Sequence, residues 1–373
     1  MTPVHAEHSD DSMAWTGAEF PDKSGFLYRL TADNIAAIDA LLDRLANVPR
    51  DEITPKMTSH RAIDVDLRAV YDDILSGKGL AVIGGFPVDR PIEELERFFW
   101  IVMSHFGNPV SNNSLGDRVV RVQQEPLSDG VQAARGTKSN GELAMHNDAG
   151  DILGLLCVHE PVSGGASQFS SGPAAHNTIL AERPDILPIL YKGFPHHRRS
   201  EQYDHQPDIT PYDVPIFSAV DGSICINFTY SSIAPALHAL GRQLTPAEDE
   251  ALDILRNVLL DQQVEFRLAA GELVLANNFA MCHSRSDYVD GDEPSRRRLL
   301  LRAWTEVPIS DRRLPLGREY YHMENKNGGF GYDPIPGRAG KIAKNEYVNV
   351  SPELADMFKA AQAKPKRHVG HDD

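Results

Sequence analysis

The chain has 373 residues, 41% hydrophobic and 24% charged, the balance of a soluble globular protein long enough for one elaborated domain or two ordinary ones. Its 37 basic and 53 acidic side chains leave a net charge of -16, so nucleic-acid backbones and anionic membranes are repelled on average. Cys157, Cys225 and Cys282 are odd in number and scattered, the N-terminus lacks a signal peptide's apolar core, and no apolar run reaches membrane-spanning length, so a cytoplasmic protein without disulfides is expected.

Residues 1–25 lack periodicity and read as a loose arm. Thr31 then opens a helix, because Ile35, Ile38, Leu41, Leu42 and Leu45 recur at helical spacing and Pro49 stops it. A second helix is predicted from about Asp66 to Ser76, with Leu67, Val70, Tyr71 and Leu75 on one face. Gly77-Lys78-Gly79 ends it, and Leu80 to Ile83 follows as a buried strand. A third helix runs from Pro91 through Leu95, Phe98, Phe99 and Val102 to Phe106. Val119 to Val122 reads as a strand, whereas Pro126 to Asn140 is polar and glycine-bearing, either a lid over a neighbouring site or a plain surface loop.

Ile152 to Val158 is an apolar strand, Pro161 to Gly165 a turn, and Ala166 to Phe169 a short strand. Asn177 to Leu190 is predicted helical, interrupted at Pro184 and Pro188, and His196-His197-Arg198-Arg199 reads as a solvated basic face. Ile216 to Val220 and Ile224 to Phe228 flank Asp221-Gly222, a hairpin signal. Thr245-Pro246-Ala247-Glu248 is a capping box opening a helix that buries Leu252, Leu255, Val258 and Leu259. Val264 to Leu268, Glu272 to Ala276 and Arg297 to Trp304 are the remaining strands. Residues 308–373, with Gly328-Gly329-Phe330-Gly331, a short helix capped at Ser351 and Lys364-Pro365-Lys366, read as an extension ending in disorder. Many short strands with turns and peripheral helices indicate a β sandwich or barrel with inserts, as one domain over residues 26–307.

The chemistry starts from His146-Asn147-Asp148. If this stretch is extended, residues two apart share a face, so one imidazole and one carboxylate aim at a single point. Two ligands are too few for a reactive metal, and His283 is the candidate third. Two histidines and one carboxylate with positions left open make the facial triad of non-haem Fe(II) oxygenases. On the last strand Arg298, Leu300 and Arg302 share a face, and guanidinium groups on a buried strand call for anionic partners. A hairpin-like connection would set His283 beside that strand. Arg302 lies about 13 Å beyond Arg298 on an extended chain, too far for one small diacid to serve both. It therefore calls for an anionic group on the substrate, or for an internal salt bridge, with Asp151 or Glu142 as candidates.

The order His146-x-Asp148, Gly164-Gly165-Ala166-Ser167, His283, Arg298, Arg302 resembles the taurine dioxygenase/clavaminate synthase-like family of Fe(II)- and 2-oxoglutarate-dependent oxygenases. The resemblance runs from about Gly79 to Trp304 and includes Asn140-Gly141-Glu142-Leu143, Leu155-Leu156-Cys157-Val158 and Asn277-Asn278. It implies a mainly β fold with peripheral helices around a double-stranded β-helix, or jelly-roll, core. It implies His146, Asp148 and His283 as iron ligands, and Arg298 and Ser167 on the far carboxylate of 2-oxoglutarate. Arg302, with Asn140 and Leu143, would face the substrate. The cofactors implied are Fe(II), 2-oxoglutarate and O₂, and the partner a small molecule, with no nucleic acid, no membrane and homo-oligomerisation left open. A non-catalytic jelly-roll binding protein and a Zn²⁺ hydrolase are the rival readings.

Overall fold

A computed structural model describes residues 4–113, 115–125, 136–198, 202, 206–220 and 222–311. The strands are β1 Leu27–Arg29, β2 Leu80–Gly84, β3 Asn108–Val110, β4 Val119–Val122, β5 Leu143–His146, β6 Ile152–His159, β7 Ser163–Gly164 and β8 Ser167–Ser171, followed by β9 Phe217–Val220, β10 Ser223–Ile226, β11 Val264–Phe266, β12 Leu273–Asn277, β13 Met281–Arg285, β14 Tyr288–Val289 and β15 Leu299–Glu306. The helices are α1 Ala32–Arg44, α2 Pro55–Thr58, α3 Arg61–Ser76, α4 Ile92–Met103, α5 Gly172–Glu182, α6 Leu187–Lys192, α7 Tyr230–Ala239 and α8 Pro246–Asp261. The expectation of a mainly β chain is corrected here: helices hold more of the described residues than strands, so the fold is mixed. Short propensity runs at residues 61–65 and 172–176, and the whole of α7 with Pro235 inside it, carry too little apolar periodicity to announce a helix.

Two sheets hold the core. The larger runs β1-β2-β12-β6-β15-β3, with β4 also paired to β15. The smaller runs β11-β8-β13-β5 and is antiparallel throughout. Alternation along β12 shows how the larger sheet uses its faces. Leu273 and Leu275 join Ile38, Leu41, Leu67, Phe98, Phe99 and Val102 of α1, α3 and α4 on the outside. Val274 and Ala276 instead meet Phe169, Val264, Phe266 and Met281 of the smaller sheet. The two sheets therefore pack face to face. The outer face of the smaller sheet, marked by Met145 and Cys282, is covered by α5 to α8 and the β9–β10 hairpin through Ile179, Leu190, Phe217, Ile226, Leu252, Leu255 and Leu259.

Local signals act as read at several ends. Thr31 caps α1 with its hydroxyl 3.1 Å from the Asn34 amide, and the Asn34 side chain returns a bond to the Thr31 amide. Thr245 and Glu248 cap α8 the same way. The β9–β10 hairpin pairs Val220 with Ser223.

Two expectations are corrected by burial. The N-terminal arm is docked, not loose: Met13 and Trp15 are buried with Phe26. Ser9 exchanges two bonds with Asn177, and the Trp15 indole donates to Lys78 O. Aperiodic polar sequence hides such docking because backbone and isolated apolar anchors carry it. His196 and His197, read as a solvated face, are buried in the core. The expected tail features at 328–331, 351–353 and 364–366 lie outside the described residues, as do residues 126–135 of the expected lid or loop. Among the described residues no helix is long and apolar enough to cross a membrane.

Burial pushes His176 down to about 4 and His196 to about 3, with His5 adding to the effect on His176. Both stay neutral in the folded chain, while in the unfolded chain they take up protons below about pH 6.5. The unfolded state then binds more protons, so stability falls as pH falls from about 6.5 towards 4. The slope reaches about 1.4 kcal/mol per pH unit for each histidine once its unfolded form is fully protonated. Melting temperatures of metal-free protein measured across this window should decline steadily, and a flat profile would contradict the burial of these rings.

Candidate active site

β5 and β13 are neighbours in the smaller sheet, and their register sets His146 opposite His283. Directly opposed residues share a face, and the two rings lie with centroids 4.3 Å apart. Met281 faces the space between the sheets, so His283, two residues on, faces it as well. β5 ends at His146, so Asp148 is delivered by the turn beyond the strand and not by strand alternation. The outcome is nevertheless convergent. One ligand atom from each of His146, Asp148 and His283 lies within 4.8 Å of the others. His146 Nε2 stands 3.8 Å from Asp148 Oδ1 and His283 Nε2 stands 3.9 Å from Asp148 Oδ2.

The protonation states suit a cation. His146 Nδ1 is 2.8 Å from Ala144 O, an acceptor only, so the proton sits on Nδ1 and the Nε2 lone pair faces the triad. Burial, reinforced by His146, pushes His283 down to about 3, so its imidazole is neutral. Burial alone would raise Asp148, but Arg302, the two histidines and the Trp304 bond outweigh it and hold the carboxyl at about 2. An ionised carboxylate and a neutral imidazole are the forms that bind metal.

Asn147, between two of the triad residues, was not singled out by sequence. Its amide nitrogen donates to Asn278 O and Met281 O, each at 2.9 Å, and its oxygen accepts from Phe228 N at 2.8 Å. It thus ties the His146–Asp148 turn to the start of β13, which carries His283.

β15 comes from the facing sheet, which corrects the expectation that a hairpin sets it beside His283. It pairs with β6, β3 and β4, while β13 pairs with β8 and β5. The short β14 pairs with β7 and turns the chain away between them. The face assignment on β15 holds: Leu300 lies between the sheets, Leu301 and Ala303 under the helices. Arg302 and Trp304 follow Leu300 on the inner side. Arg302 Nη1 is 3.2 Å from Asp148 Oδ2, and its Nε donates to Asn112 Oδ1 at 3.1 Å. The salt bridge of Arg302 is therefore to Asp148, not to Asp151 or Glu142. The Trp304 indole donates to the same Asp148 oxygen at 2.9 Å.

Arg298 precedes β15 and is buried at 4% exposure. Its guanidinium lies over the Tyr288 ring, 5.1 Å from the centroid, and Nη1 is buried with no partner among the described residues. A carboxylate is the group that such a nitrogen lacks. Gly165, at φ +70°, makes room for it: a Cβ there would sit 3.3 Å from Arg298 Nε. Ser167, two residues further on and buried, opens β8 opposite Arg285. Arg285 stacks on Tyr288 as well, at 4.9 Å, and its Nη2 donates to Ser139 O and Gly141 O. Burial first and Arg298 second bring its guanidinium down to about 10. Arg285 was missed by sequence, although the two-residue rule applied to His146 and Asp148 would have placed it beside His283.

The candidate substrate residues are placed less closely. Asn140 bonds the backbone of Tyr288 through its carbonyl at 3.1 Å and its amide at 3.4 Å. Leu143 stands opposite Arg285, and a register shift between Arg285 and His283 brings both Leu143 and His146 onto partners of the inner face.

Comparison with known proteins accords with this geometry. The chain is 27% identical over 305 residues to FR-33289 synthase of Streptomyces rubellomurinus, covering 79% of this chain and 88% of the relative. It is 24% identical to a taurine hydroxylase-like protein, SAT17, of Stachybotrys chartarum, covering 83% and 82%. Its fold is similar to asparagine oxygenase solved with Fe(II), 3-hydroxyasparagine and succinate, at TM-score 0.58 and 16% identity over 75% of this chain and 93% of that one. It is also similar to the non-haem iron oxygenase OrfP with iron and α-ketoglutaric acid, at TM-score 0.56 and 15% identity over 75% and 93%. Residues 52–304, more than half the chain, match the family model described as taurine catabolism dioxygenase TauD, TfdA family, and the protein belongs to that family.

Proposed function

We propose that this protein is a non-haem Fe(II)- and 2-oxoglutarate-dependent dioxygenase. It hydroxylates or otherwise oxidises a C–H bond of a small anionic substrate, a carboxylate or amino-acid-like molecule, and releases succinate and CO₂. The observation that carries the reading is the convergence of His146, Asp148 and His283 within 4.8 Å, with Asp148 held ionised and His283 neutral. His146, Asp148 and His283 would hold the iron, and the Arg298 nitrogen without a partner among the described residues fits the far carboxylate of 2-oxoglutarate, which the Ser167 hydroxyl would also help to hold. Iron and 2-oxoglutarate supply the oxidising chemistry when bound. The protein's part is to hold them between two sheets and to exclude water. The two facing sheets read as a double-stranded β-helix core within residues 26–307.

Arg302 faces the substrate in this reading, with Asn140 and Leu143. Its Nη2 has no partner among the described residues, so it keeps donors for a substrate anion while bound to Asp148. An amino-acid-like substrate is supported by the ligands of the asparagine oxygenase and OrfP structures. No observation favours a non-catalytic binding protein.

The test is conversion of 2-oxoglutarate to succinate, assayed with Fe(II), with Zn²⁺ and without O₂, across a panel of amino acids and small carboxylates. Succinate is expected only with Fe(II) and O₂ together, stimulated by the true substrate. Full turnover with Zn²⁺, or with 2-oxoglutarate omitted, would sink the reading.

A further inference from the structure

We infer that Trp304 is a positioning residue for the carboxylate ligand of the metal centre. The inference rests on the metal-site reading above and goes beyond it. The Trp304 indole and the Arg302 guanidinium both donate to one oxygen of Asp148, Oδ2, at 2.9 and 3.2 Å. Both oxygens face the triad, Oδ1 at 3.8 Å from His146 Nε2 and Oδ2 at 3.9 Å from His283 Nε2. Two donors on Oδ2 fix the plane of the carboxylate and so the direction in which it meets the two histidines.

The two donors differ in kind. Trp304 is 4% exposed and wedged among Val110, Ala149 and Leu153, which fixes its N–H. Arg302 is a longer, partly exposed side chain lying over the Trp304 ring at 4.7 Å, with a nitrogen to spare. Trp304 is therefore the constant donor and Arg302 the one that a substrate anion can share. Outer partners of this sort typically tune metal affinity by about 10- to 100-fold.

The experiment compares wild type with Trp304→Phe, which keeps the ring and removes the N–H. Zn²⁺ and Fe(II) binding should weaken about 10- to 100-fold. The visible band formed anaerobically with Fe(II) and 2-oxoglutarate should move to longer wavelength, because a carboxylate freed of a hydrogen bond donates more charge to iron. A merely structural role would lower the melting temperature of metal-free protein and leave the band in place. The wild type gives a second readout that needs no substitution. The chain has 3 tryptophans, and the indoles of Trp15 and Trp100 donate to Lys78 O and Ile53 O, away from the triad. In ¹⁵N-tryptophan-labelled protein, Zn²⁺ should move one indole resonance and leave two. Tight Zn²⁺ binding with no indole moved, or a Trp304→Phe variant with unchanged affinity and band, overturns the inference. Absence of any metal binding by wild type would instead remove the metal centre itself, and the inference with it.

Discussion

Asp148→Ala is expected to abolish the visible charge-transfer band that Fe(II) and 2-oxoglutarate give in anaerobic protein. Asp148 is the one anionic member of the triad, and its removal leaves a two-histidine site beside the Arg302 cation. Uncompensated positive charge next to a dication opposes binding, so the loss exceeds that of one ligand bond. His146→Ala and His283→Ala should each abolish or strongly weaken the same band. Asp148→Asn separates charge from shape, because the amide keeps an oxygen for the Trp304 and Arg302 donors yet lacks the anion. A band of normal intensity in Asp148→Ala would remove Asp148 from the metal centre.

Arg298→Ala should raise the 2-oxoglutarate requirement steeply while leaving metal binding in place. Its guanidinium is buried, Nη1 has no partner among the described residues, and Gly165 leaves it room. Truncating one partner of a desolvated, hydrogen-bonded charge pair costs about 2–5 kcal/mol. That corresponds to a roughly thirtyfold to several-thousandfold loss of affinity. The check is a titration of the charge-transfer band with 2-oxoglutarate in wild type and variant. Unchanged affinity would take Arg298 out of the cosubstrate site and turn attention to Arg285, the second guanidinium on Tyr288.

The residues of the triad were legible because their chemistry is rare and their order informative. Their delivery was less so. His146 and His283 come together because β5 and β13 pair in one register, and register is a tertiary property that local sequence states only faintly. Met281-Cys282-His283 is a buried strand, yet its mixture of sulfur and imidazole does not advertise one. The partner of Arg302 was misjudged for a related reason. Glu142 and Asp151 flank the motif in sequence, whereas the facing sheet brings Arg302 across to Asp148. The docked arm and the buried His196 and His197 share one cause: polar stretches can be core when their backbone is satisfied, as His196 N–H is by the Thr210 hydroxyl and His196 O by the Thr210 amide.

Asn147 spans the two halves of the triad through three short bonds to the chain at residues 228, 278 and 281. Those bonds join a side chain to backbone groups and use none of the ligand atoms of His146, Asp148 or His283. Bonds of this kind form with the fold itself, so the centre is expected to be set ahead of its ion, unlike that of small metal-folded domains whose ligands assemble only around it. Such a centre behaves as a socket. A chelator should empty it without melting the chain, and Fe(II) should refill it within mixing time. An oxidised or wrong metal can then be exchanged for Fe(II) during the protein's lifetime, with no need to unfold and begin again.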